Sequence, residues 1–176
     1  MNITLTDGQS NAFKKGKKWY KKQNKQVFRI AGYAGTGKST IVFALIEELG
    51  LNPMKDVLFL TYVGKATLPL RKNGLPAKTI HSALYERKVK KVRDDEGHVI
   101  LDDNGKPLTK AKFVLKDEIG HNIKLIVVDE AGMVPATMSD DIESFGIPVI
   151  YLGDPGLVKR LGNFINCGNV LLGSIY

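Results

Sequence analysis

The 176 residues, 43% hydrophobic and 25% charged, suffice for one globular domain with its own core and are too few for two ordinary ones. No apolar run approaches the roughly 20 residues of a membrane helix, and the N-terminus lacks the apolar stretch of a signal peptide. Cys167 is the only cysteine and reads as a buried or incidental thiol, so an internal disulfide is excluded and a cytoplasmic setting, in a bacterial or phage-host cytosol, is expected. The net charge of +8 lies wholly in residues 1–46, which hold nine Lys/Arg against Asp7, whereas the remainder carries 17 of each sign. The basic stretch at 14–25 is either a footprint for a polyanion or a solvated helix face.

Gln9, Ala12, Phe13, Gly16 and Trp19/Tyr20 follow helical spacing, which predicts an amphipathic helix over about 7–24, capped by Thr6 or Asp7. Residues 26–35 read as a strand entering a glycine-rich loop, and 38–50 as a helix ended by Gly50. A short apolar strand follows at 56–62. Two short helical pieces, "GKATLPLRKNG" and "TIHSALYE", are expected to break around Pro69 and Pro76. Residues 122–130 and 147–154 are again apolar strands, each ending in acids. Strands apolar on both faces, alternating with helices, imply an α/β fold: a parallel sheet covered on both sides. Residues 87–121 stand apart as a highly charged, β-hairpin-like insertion with turns at "DDEG" and "DDNG". The second turn lacks the ligand spacing and closing Glu of a calcium loop. The expected organisation is one domain over 1–162, with 163–176 a tail that is either a final strand or a helix.

The strongest chemical signal is Gly32-Tyr-Ala-Gly-Thr-Gly-Lys-Ser39, which satisfies G-x-x-x-x-G-K-[ST] between a strand and a helix. Gly35 and Gly37 let the backbone N–H groups of the loop, Thr36 included, close around phosphate oxygens without Cβ clashes, and the helix N-terminus adds partial positive charge. Lys38 is placed to reach the β- and γ-phosphates, and Ser39 to ligate Mg²⁺. "LIVVDE" puts Asp129 and Glu130 at a strand's C-terminal end, the edge where such sheets bind ligands. Asp129 is the expected second anchor for Mg²⁺, and Glu130 the group that orients or deprotonates water.

With these motifs in place, the chain resembles the first motor domain of a superfamily 1 DNA helicase of the RecD/TraA/Dda type, with 5′-to-3′ polarity. "LTDGQ" (5–9) is similar to that family's adenine-reading motif, "GYAGTGKST" (32–40) to its phosphate loop, and "LTYVGKA" (60–66) and "KTIHSAL" (78–84) to its DNA-contact motifs. "IVVDEAGMVP" (126–135) is similar to the metal-binding motif, with Gly132 where Ser is usual, and "YLGD" (151–154) begins the next one. The resemblance implies a RecA-like P-loop NTPase fold with ATP and Mg²⁺ as cofactors. It implies that Gln9 reads the adenine edge, and that Thr40 and Asp154 belong to the nucleotide site. Thr61, Lys65, Thr79 and His81 would lie along single-stranded DNA. The insertion occupies the place of a family hairpin, where it either touches DNA or faces solvent.

One motif departs from the family. Its sensing Gln falls at Leu157 and its two prolines at Lys159 and Arg160, before Gly162 rejoins the pattern. Leucine offers no hydrogen bond, so the sensor is expected to be absent. The resemblance also calls for a second motor domain, on a partner, to supply the arginine finger. The expected function is therefore an ATP-binding, weakly hydrolysing helicase-type domain that contacts single-stranded DNA without unwinding duplex alone. The alternative is an inactive remnant serving as a nucleotide- or nucleic-acid-binding module.

Overall fold

The computed structural model describes residues 5–154 and the backbone of a short strand at 170–172. Leu157, Lys159, Arg160, Gly162 and Cys167, on which several expectations rest, lie outside the described residues.

Helix α1 (Asp7–Lys22) begins at a capping box: the Thr6 side chain accepts from Gln9 N, and Gln9 Oε1 accepts from Thr6 N at 3.0 Å. Of the two expected caps, Thr6 is the one used. Thr6→Ala should lower stability by about 1 kcal/mol, read as a lower midpoint in denaturant unfolding. The helix buries Ala12, Gly16 and Trp19, with Trp19 stacked on Phe28 at 5.3 Å, and turns most of its lysines outward.

Strand β1 (Val27–Gly32) leads through the glycine loop into α2 (Lys38–Glu48), after which Gly50 adopts a positive φ. Strand β2 (Val57–Thr61) is followed by a single 3-10 turn (Gly64–Ala66) and α3 (Thr67–Lys72). Pro69 does not break α3, contrary to expectation. It sits in the first turn, where its missing N–H has no intrahelical partner to lose. Then come β3 (Lys78–Thr79), α4 (Ile80–Leu84), the antiparallel pair β4 (Tyr85–Lys91) and β5 (Thr109–Leu115), β6 (Leu125–Asp129), α5 (Ala136–Glu143), β7 (Val149–Gly153) and β8 (Val170–Leu172).

Six strands form one sheet in the order β3-β2-β6-β7-β1-β8, every pairing parallel. Alternate residues of β1, β2, β6 and β7 feed opposite cores, as period-two side chains must. Phe28, Ile30, Phe59, Val127 and Ile150 face α1, α2 and α3. Leu58, Leu60, Ile126, Val128 and Tyr151 face α4 and α5. This is the parallel sheet covered on both sides that the apolar strands imply, and it is the architecture of a P-loop NTPase. Among the described residues no helix is long and apolar enough to cross a membrane.

The β4–β5 pair forms an arm separate from the sheet. It starts at Tyr85 and ends at Leu115, so its root lies closer to α4 than position 87 suggested. Val92, Ile100 and Leu108 continue the pairing outward as a small meander. Each outer turn is closed by an aspartate: Asp94 Oδ1 accepts from Glu96 N and His98 N, and Asp102 Oδ1 from Asn104 N and Lys106 N. At the root the Tyr85 hydroxyl donates to the Asp141 carboxylate, while Lys116 Nζ donates to Ala83 O at 2.7 Å. Burial, followed by that carboxylate, pushes the Tyr85 phenol up to about 12. The phenol therefore remains a protonated donor throughout the physiological range.

Candidate functional site

Strands β1, β6 and β7 pair in register, Ala31 beside Gly153 and Val128 beside Tyr151, so their C-terminal ends finish on one edge. At that edge lies a cleft of about 710 Å³. One wall is the loop and first turn of α2, with Gly35, Gly37, Lys38, Ser39 and Thr40. The other is Asp129, Glu130, Gly132 and Met133, with Asp154 closing the end.

The loop's shape depends on two glycines. Gly35 and Gly37 have φ of +78° and +83°, a region that side-chain-bearing residues rarely adopt. At Gly37 space is short as well, because a Cβ there would meet Gln9 Nε2 at 2.5 Å. Thr36 is buried and turned inward: its hydroxyl donates to Tyr33 O at 2.8 Å, so this side chain fastens the loop rather than lining the cleft. Lys38 Nζ donates to Gly32 O at 2.7 Å and Tyr33 O at 3.0 Å, which holds its ammonium in the curve of the loop.

Gln9 also lies outside the cleft lining. Its amide bridges the cap to the loop, with Oε1 on Thr6 N and Nε2 donating to Thr36 O at 3.1 Å. A primary amide has two N–H donors and two acceptor lone pairs, so one of each remains for a base edge.

On the facing wall Glu130 has a φ of +51°, unusual for any residue but glycine. Its N–H donates to Asp129 Oδ1 at 2.9 Å. Such a conformation costs on the order of 1–3 kcal/mol and tends to occur where a side chain must be aimed. Asp129 is half-buried and Glu130 is exposed. Among the described residues no three His, Cys, Asp or Glu side chains gather to hold a metal ion. A cation here would draw on Ser39, Asp129, water and ligand oxygens. That hard-oxygen set with few protein donors suits Mg²⁺.

The residues expected along DNA fall into two groups. Thr61 is fully buried at the end of β2 and its hydroxyl donates to Val63 O at 3.1 Å, so its side chain has no surface to offer a phosphate in this arrangement. Thr79 caps α4, its hydroxyl serving Ser82. Lys65 and His81 are exposed. The His81 ring lies 5.5 Å from Tyr85 and 6.5 Å from Phe113 on the arm. Phe113, 62% exposed, was missed in the sequence because only the strand pairing brings it to His81. Met133, 48% exposed at the cleft, was visible as part of "DEAGM" but carried no assigned role.

The sequence profile of the AAA domain family matches residues 4–157. No curated protein matches the chain. Among solved structures the chain is similar to Bacteroides Pif1 bound to single-stranded DNA, with a TM-score of 0.55 and 16% identity over 99% of this chain and 43% of that one. It is also similar to the large terminase of a thermophilic bacteriophage, at a TM-score of 0.49 and 12% identity over 97% of this chain and 45% of that one. The chain thus spans less than half the length of these solved structures, and at 16% identity the likeness to the Pif1 structure is one of fold.

Proposed function

The chain belongs to the AAA domain family, and on that premise we propose that it is a helicase-type motor domain that binds ATP with Mg²⁺ and contacts single-stranded DNA. The observation that carries the reading is the cleft that brings Lys38, Ser39, Asp129 and Glu130 to the same sheet edge. Loop N–H groups and Lys38 hold the phosphates, and Gln9, moored to the loop through Thr36, offers its remaining amide groups to the adenine. Mg²⁺ held by Ser39 and Asp129 would neutralise phosphate charge. Glu130 accepts the proton of the attacking water. Hydrolysis by this domain alone is slow, because an arginine finger from a partner domain can be worth about 10³–10⁵ in turnover.

DNA lies across Lys65 and His81, with Thr61 and Thr79 shaping the backbone beneath. Phe113 extends this side with an exposed ring, and aromatic faces stack bases irrespective of sequence. The presence of single-stranded DNA in the Pif1 crystal agrees with this reading. ATP turnover measured with and without single-stranded DNA tests it. Stimulation is expected, whereas nucleotide binding with DNA-independent turnover would reduce the protein to a nucleotide-binding module.

A further inference from the structure

We propose that the arm carries a second nucleic-acid surface, on the face away from His81, which grips the phosphates of a DNA duplex through Lys88, Lys90, Lys110 and Lys112. In the β4–β5 register Lys88 lies opposite Lys112 and Lys90 opposite Lys110. All four are exposed, and strand alternation puts them on one face. Two adjacent cross-strand pairs of like charge oppose the folding of a hairpin. Glu86, which pairs with Lys88 at 2.7 Å, is the only acid on that face of β4 and β5. The Cβ atoms of the quartet span roughly 5 Å across the strands and 7 Å along them, a charge density that calls for a polyanion.

The contrast between the two faces selects the partner. The opposite face carries Phe113 and Val89 beside Arg87, with His81 and Tyr85 at its root, so it offers rings on which unstacked bases can lie. The lysine face has no aromatic residue on either strand. Cations without a stacking platform suit a partner whose bases are already stacked internally and which presents only its backbone. The acids at the tip, Asp94, Asp95, Glu96, Asp102 and Asp103, confine the attraction to the shaft. This inference takes nucleic acid as the polyanion from the reading above, but it does not depend on the ATP cleft.

The test uses the full chain and a variant carrying Lys88→Gln, Lys90→Gln, Lys110→Gln and Lys112→Gln, titrated by anisotropy against a blunt duplex and a single strand of equal length. Duplex affinity at about 150 mM salt should fall at least tenfold, and the slope of log K against log salt should fall by about 3–4, near 0.9 per phosphate contact. Single-strand affinity should change less than threefold, and the unfolding midpoint should hold or rise because repulsion is removed. Arginine at the same four positions should retain duplex binding. Equal duplex affinity and slope in variant and parent, or parallel loss for both ligands, would overturn the proposal. A parent chain that binds single strand but no duplex would also overturn it, while leaving the motor reading intact. Duplex binding that depends on these lysines in a chain indifferent to ATP and single strand would do the reverse.

Discussion

Lys38→Ala should weaken nucleotide binding at least about a hundredfold while leaving the fold in place. In the structure the ammonium donates to Gly32 O and Tyr33 O, so binding exchanges two carbonyl contacts for contacts with phosphate oxygens bearing full charge. Hydrogen bonds to charged partners contribute about 1.5–3 kcal/mol each, so losing two should raise Kd on the order of 10²-fold or more. Among the described residues the removed group bonds only to its own loop, and alanine suits the first turn of α2. The unfolding midpoint without nucleotide should therefore change little. Calorimetric titration with ATP and Mg²⁺ checks the first part, and unchanged affinity would show that the loop has been wrongly assigned.

Glu130→Gln should separate binding from chemistry. The substitution keeps the size and the backbone conformation at φ +51°, along with the N–H bond to Asp129 Oδ1. It removes the carboxylate that stands next to the proposed metal set and can take a proton from water. ATP affinity should stay within a fewfold of the parent, and turnover with single-stranded DNA present should fall about 10²–10⁴-fold. Single-turnover conversion with excess protein keeps the comparison measurable even where steady-state rates are low. Equal rates in the two proteins would remove Glu130 from the role of base.

Much of the fold is legible in the sequence because the central strands β1, β2, β6 and β7 are apolar on both faces. "VLFLT", "LIVVD" and "VIYLG" announce buried parallel strands, and the glycine loop marks its own strand and helix. Local signals were weaker where tertiary context decides. Pro69 looks like a breaker until its place in the first turn of α3 is known. The stretch "ATMSDDIE" has too little apolar periodicity to announce α5, which is fixed instead by the burial of Ile142 and by the Tyr151 hydroxyl donating to Glu143 Oε1 at 3.1 Å.

For the candidate site, spacing located Lys38, Ser39, Asp129 and Glu130, which share the cleft. It did not separate residues that line a site from those that brace it. Thr36 and Thr61 stand in motif positions, yet both hydroxyls donate to nearby backbone carbonyls. Burial is a property of the folded chain, and nothing in "GTGKS" or "LTYVGK" records it. The lysine quartet shows the same limit, because "ERKVKK" and "TKAKF" become one charged face only through their register.

The most direct test of nucleotide binding is the thermal unfolding of the full chain with ATP and Mg²⁺ at about 100 times Kd. Binding to the folded state alone should add about 2.7 kcal/mol, a rise in midpoint of roughly 5–10 °C for a chain of this length, and Lys38→Ala should lose that rise. A midpoint that ignores millimolar ATP and Mg²⁺ in the parent chain would contradict the assignment of the cleft.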